Sequence, residues 1–312
     1  MLTLTTCVYA RPAGLDIECD VYEDDDYPVA SPVVLFFHSG GLVGGSRKRL
    51  GPWIVQACKQ RKWTLISADY RFLPQAKATD LLEDVAAAYT FARNWKAPIL
   101  HGDPRSPPPP PPPLALFGIT PITTFQHPFF SSSILLTPEP LTPEFMGSTL
   151  DPHGPILHHL ENGPTPSTRT GSPRRHQNPH YVTPVEMPLD HPRCFHRGTP
   201  LRGKPWPPTV LIHGDDDYDV SMDVSVHMAQ SLGEDRIKLL LAERQGHLFE
   251  SESFLEDDGE GAEAMAVVRR RWIAWPPSSR APRREAISRR QKCQQTLAYP
   301  AMLPLSLSSH YS

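Results

Sequence analysis

Seven prolines in a row, Pro107–Pro113, limit what this chain can fold into more than any other feature of its sequence. Each ring fixes φ and removes a backbone donor, so the run can be neither helix nor central strand. A continuous parallel sheet cannot be threaded through it, and a core must be assembled from the sequence on either side. Residues 1–95 and 208–275 read as two halves of an α/β core, and 96–113 as an irregular segment between them. Residues 114–207 read as a partial strand followed by a Pro- and His-rich region, cap-like or disordered. Residues 276–312 read as a basic disordered tail, with Arg280, Arg283, Arg284, Arg289, Arg290 and Lys292 against Glu285.

Within the two halves the hydrophobic periodicity switches between strand and helix. Leu15–Tyr22, Val33–His38 and Thr64–Asp69 are predicted strands, and Lys48–Arg61 a helix. From Asp80, placed to cap, the residues Leu81, Leu82, Val85, Ala88, Tyr89 and Ala92 recur at three and four positions, which predicts an amphipathic helix to about Trp95. Leu114–Ile119 resumes as a short buried strand. Beyond Pro208 come a strand over Thr209–Ile212, a helix over Val220–Leu232 and a strand over Leu239–Glu243. Strands alternating with helices point to an α/β fold, and 312 residues suit one large domain.

A net charge of -3 and a pI near 6.5 give no global pull toward nucleic acid or anionic membrane. No apolar run reaches the roughly 18 residues of a membrane span. Cys7, Cys19, Cys58, Cys194 and Cys293 are odd in number, widely spaced and without a CxxC pair, as expected of cytoplasmic thiols.

Three turns carry chemistry. Val33–Phe37 opens into His38-Ser39-Gly40-Gly41, and backbone N–H groups in such a turn can meet a developing oxyanion because no Cβ blocks the approach. Thr209–Ile212 opens into His213-Gly214-Asp215-Asp216-Asp217, and Leu239–Glu243 leads into Gly246-His247. Strand then glycine turn, strand then acid, strand then histidine is the chain order of an α/β-hydrolase. The first turn resembles the HGGG oxyanion loop of the hormone-sensitive-lipase-like esterases, lipases and peptidases, with Ser39 in place of the first glycine. Asp69-Tyr70-Arg71-Phe72-Leu73-Pro74 is similar to that group's DYRLAPE stretch, and His213–Asp217 to its HGxxD turn. The resemblance implies an α/β-hydrolase-type, mostly parallel sheet with flanking helices. It implies Gly40 and Gly41 as oxyanion donors, Asp217 as the acid and His247 as the base, with no cofactor and no metal. Asp215, Asp216 and Asp219 stand close enough to Asp217 to compete for the acid's place.

The nucleophile is missing. A serine elbow needs small residues two before and two after the serine; Ser39 fails at Phe37 and Ser46 at Lys48, and Ser106 runs straight into the prolines. Family order puts the elbow between Trp95 and Leu114, where about eighteen residues of loop and polyproline cannot encode a strand, a turn and a helix. The sheet is therefore expected to be incomplete around its central strand. The resemblance implies a carboxylic-ester hydrolase, inactive as written, whose substrates would be small acyl, ester or peptide-like compounds.

Three other readings stand beside it. The chain could be a non-catalytic pseudohydrolase binding an acyl ligand or a protein. Ser39-x-Gly41-x-x-Gly44 is one substitution from a dinucleotide fingerprint, with Asp69 where an acid would hold a ribose, which would make the chain an oxidoreductase. The prolines could dock a weak polyproline-binding partner or serve as a bare spacer. His153, His158, His159, His176, His180, His191 and His196, with Cys194, form no tight ligand pattern.

Overall fold

Two blocks of sheet, one mixed and one parallel, dominate a computed structural model that describes residues 2–29, 31–95, 112–123, 151, 153–159, 206–256 and 262–273. The expectations for 96–111, for most of 120–207 and for the basic tail fall outside the described residues. The elements in order are β1 (Thr3–Ala10), β2 (Ile17–Glu23), β3 (Val33–Phe37), α1 (Pro52–Arg61), β4 (Thr64–Ala68), α2 (Ala78–Asn94) and β5 (Leu116–Ile119). There follow β6 (Thr209–Gly214), α3 (Asp223–Leu232), β7 (Ile237–Ala242) and α4 (Ala262–Ile273). All lie in one unit, residues 1–276.

The first block has the order β1-β2-β4-β3, the second β5-β6-β7. β3 runs parallel to β4, and β5, β6 and β7 are mutually parallel, while β1 and β2 are antiparallel additions at the outer edge. Among the described residues β3 pairs with β4 alone and β5 with β6 alone. Among the described residues β3 and β5 are thus each an edge strand of their own sheet.

Side chains join what the ladders do not. Leu65 of β4, Val210 and Ile212 of β6, and Ala242 of β7 share one cluster with Trp53, Ile54, Ala57 and Cys58 of α1 and Met265, Val268 and Trp272 of α4. Val34 and Phe36 of β3 and Phe117 and Ile119 of β5 pack against it from either side. Trp53, Phe117 and Trp272 form a mutual triangle with ring centroids 5.6–6.2 Å apart. Truncating a buried side chain such as Leu65 or Ile212 to alanine would cost about 2–5 kcal/mol, so this cluster is a main tie between the blocks. A second cluster, built on Cys19, Val21, Ile66 and Ala68, lies beneath Ala88 and Ala92 of α2.

Local chemistry explains the ends of the elements. Pro52 opens α1, where its missing N–H costs nothing, and Lys62 closes it in the left-handed region at φ 55°. The structure moves several expectations: the helices expected from Lys48 and Val220 begin at Pro52 and Asp223, and Asp80 is not the cap but the third residue of α2, where its Oδ2 accepts the N–H of Lys77 at 2.7 Å. β1 was not among the expected strands. No helix among the described residues is long and apolar enough to cross a membrane.

Candidate active site

The three turns leave the C-terminal ends of β3, β6 and β7. The turn after β3 is glycine-dependent. Gly40 has φ 127° and Gly41 φ 61°, and a Cβ on Gly40 would collide with the Gly44 carbonyl. The turn's own hydrogen bond runs from Val43 N to the Gly40 carbonyl at 3.1 Å, and among the described residues no acceptor meets the N–H of Gly40 or Gly41.

His38 is a structural member of this turn. It is buried, stacks on Tyr70 at 4.4 Å and lies 2.7 Å, through Nδ1, from the Ser39 carbonyl. Burial drives its pKa down to about 4, so it stays neutral. Arg47, just beyond the glycines, pins the turn to the sheet. Its backbone N–H and Nη1 donate to the Asp69 carboxylate at 2.6 and 2.5 Å, its Nε to Asp20 at 3.0 Å, and its Nη2 reaches Glu18 at 2.9 Å. Asp69 is fully buried in that contact and therefore is not presented to a ribose, which removes the main support for the dinucleotide reading. His159 also approaches Asp69, at 3.3 Å. Its segment is tied down by the bond from Phe72 N to the Leu157 carbonyl at 2.7 Å.

The acid and histidine turns are built against each other. β6 and β7 pair through Gly214 and Ala242, Asp216 N donates to the Gln245 carbonyl at 3.0 Å, and a Cβ on Gly214 would strike that same carbonyl. Of the four neighbouring acids, Asp217 is the one whose carboxylate meets the His247 ring, Oδ2 to Nδ1 at 2.9 Å. Asp217 Oδ1 accepts from the N–H groups of Asp219 and Val220 at 3.0 and 2.9 Å, which fixes its rotamer. Asp215 is turned away, accepting from Arg244 N. His213, fully buried, holds the far side of the turn through Ser225 and the Val220 carbonyl, each at 2.8 Å.

Burial alone would raise the Asp217 pKa; hydrogen bonds from His213 and His247 outweigh it and bring it to about 2. Burial likewise opposes charge on His247, but the hydrogen bond and charge of Asp217 prevail and raise its pKa above the ordinary 6.5. The pair therefore stabilises the fold between two limits. The histidine's share is full below its unfolded value and is lost as pH rises through the raised one. The aspartate's share is present above 3.8 and is lost as pH falls through about 2. Titration of the His247 ring by NMR should give a value above 6.5, and Asp217→Asn should lower it, because the hydrogen bond and charge of Asp217 are then gone and only the smaller pulls of Asp219 and Glu250 oppose burial. An unchanged value in the variant would break the assigned contact.

Glu250 was not singled out by the sequence. Buried three residues after His247, it has one carboxylate oxygen without a hydrogen-bond partner, and desolvation pushes its pKa up to about 7. Its loop joins the histidine turn to the start of α1, since Trp53 N donates to the Ser253 carbonyl at 3.0 Å and Leu255 N to Gln56 Oε1 at 2.8 Å. The histidine loop thus rests on the helix that follows the glycine turn. No group of three or more His, Cys, Asp or Glu side chains among the described residues could hold a metal ion.

Residues 34–106 match the family model described as alpha/beta hydrolase fold. The structure superposes on an alpha/beta hydrolase superfamily protein from Enterococcus faecalis with a TM-score of 0.56 and 13% identity, over 88% of this chain and 98% of that one. The fold is that of the α/β-hydrolases. The chain is also 35% identical over 60 residues to the probable carboxylesterase M8 of Phoma sp., covering 18% of this chain and 19% of that protein. It is 32% identical over 94 residues to the non-reducing polyketide synthase Preu3 of Preussia isomera, covering 29% of this chain and 4% of the synthase. The chain spans between 4% and 19% of the curated relatives it matches.

Proposed function

We propose that the chain is the scaffold of a carboxylic-ester hydrolase of the serine type, and that in its present sequence it turns over no substrate. The 2.9 Å contact between Asp217 and His247 at the ends of adjacent parallel strands carries this reading. In it, His247 is the base that would take and return the nucleophile's proton, and Asp217 orients its ring and offsets the charge that forms. The N–H groups of Gly40 and Gly41 are the oxyanion donors. The ligand class is small acyl or ester compounds. The absent G-x-S-x-G motif accounts for the silence. The described cysteines are free thiols, which supports a reducing compartment such as the cytoplasm.

The test is to supply what is missing. Residues 96–113 are replaced by a strand, a G-x-S-x-G turn and a helix, and hydrolysis of p-nitrophenyl butyrate is measured beside the parent chain. A folded graft should gain at least about a hundredfold over the parent, and His247→Ala in the graft should abolish the gain. A folded graft that keeps the Asp217–His247 contact and gains nothing would overturn the proposal.

A further inference from the structure

Cys7 of β1 and Cys19 of β2 are direct partners in the antiparallel ladder. Side chains at directly opposed positions project from the same face of a sheet, and these two pack into one cluster beneath α2, Cys19 buried and Cys7 partly exposed. Opposed residues in an antiparallel pair have Cα atoms about 4.5 or about 5.5 Å apart, depending on whether the pair is hydrogen-bonded. Both spacings fall within the roughly 4.4–6.8 Å that a disulfide bridges. The only other described cysteine, Cys58, is buried in the separate cluster around α1, where no second cysteine accompanies it among the described residues.

We infer that Cys7 and Cys19 are an oxidation site, closing to a reversible cross-strand disulfide when the protein meets a hydroperoxide. The Cys7 thiolate attacks the peroxide oxygen, the O–O bond breaks, and a sulfenic acid forms with release of water or an alcohol. The Cys19 sulfur then attacks the Cys7 sulfur. The S–O bond breaks, and the departing hydroxide leaves as water with the Cys19 proton. Two thiols have lost two electrons to the O–O bond, and a thiol reductant reverses the change.

The bond would act on a strand that needs it and near a place that matters. β1 joins its sheet only through β2 among the described strands, and its first four residues are exposed. β2 supplies Glu18 and Asp20, which hold Arg47 and with it the glycine turn. Burial holds the Cys7 thiol above its ordinary range and pushes Cys19 up to about 12, so closure should accelerate as pH rises.

The full chain is treated with hydrogen peroxide in neutral and in mildly alkaline buffer, remaining thiols are alkylated, and the unreduced peptides are mapped by mass spectrometry. The expected result is a dominant Cys7–Cys19 linked peptide, formed faster at the higher pH, with a melting temperature raised by roughly 5–10 °C and restored by dithiothreitol. Cys7→Ser should lose both the link and the shift. If Cys7→Ser does not fold, the peptide map of the parent decides by itself. Recovery of Cys7 and Cys19 as separate alkylated or sulfinic residues from peroxide-treated, still-folded protein would overturn the inference. So would pairing of Cys7 with Cys58, Cys194 or Cys293 instead.

Discussion

The purified 312-residue chain should hydrolyse short p-nitrophenyl esters no faster than buffer does. The chemistry requires an atom that attacks the acyl carbon, and the interval where that atom belongs holds polyproline instead. Loss of a nucleophile costs a serine hydrolase about a million-fold in turnover, while an intact oxyanion turn and binding surface leave roughly a thousand-fold over water. Residual catalysis of that size merges with background. For the same reason His247→Ala should change the parent's rate by less than about twofold, since the base we propose, with no nucleophile to activate, would contribute nothing. A rate clearly above buffer that falls with His247→Ala would mean that a serine outside the expected interval serves the pair.

A large effect on stability should come from Arg47. Its guanidinium and backbone N–H hold Asp20 and Asp69, both buried, and it reaches Glu18 as well. Removing one partner of a buried ion network leaves the other charges unpaired, at a cost of about 3–5 kcal/mol. Set against a total stability of about 5–15 kcal/mol, Arg47→Ala should lower the melting temperature by roughly 10 °C or more. Arg47→Lys should recover only part of this, because an ammonium cannot match the planar fork that reaches three carboxylates. A melting temperature within about 2 °C of the parent in Arg47→Ala would show that the network contributes little.

The sequence made the strands that bear the turns legible because their apolar runs end in glycine, and glycine after a strand is a geometric statement. β3, β4 and β6 begin at the expected residues and β5 and β7 within two, and the order of the three turns follows the chain. β1 escaped notice because it lies at an edge with its first four residues exposed, so its alternation carries little hydrophobic contrast. α4 could have been found: Met265, Val268 and Trp272 recur at helical spacing and all face the core. The Arg47 network could not, since Glu18 and Asp20 of β2, Arg47 after β3 and Asp69 after β4 come together only through strand pairing that the fold reveals. Glu250 was hidden for a related reason. Nothing in an acidic loop of sequence says which carboxylate will be buried.

The choice of Asp217 among four acids shows the same boundary between pattern and packing. Spacing and turn type narrowed the field, but the rotamer that brings one carboxylate to His247 is set by the N–H groups of Asp219 and Val220 and by His213 behind it. Those contacts depend on the close approach of two loops that Gly214 alone permits.

The most direct test of a hydrolase frame without its nucleophile is reaction with a fluorophosphonate probe, which bonds covalently to an activated serine and to little else. The 312-residue chain, incubated with excess probe and examined by intact mass spectrometry, should show no adduct. Stoichiometric labelling of a serine, lost in His247→Ala, would contradict the account and would name the residue that completes the site.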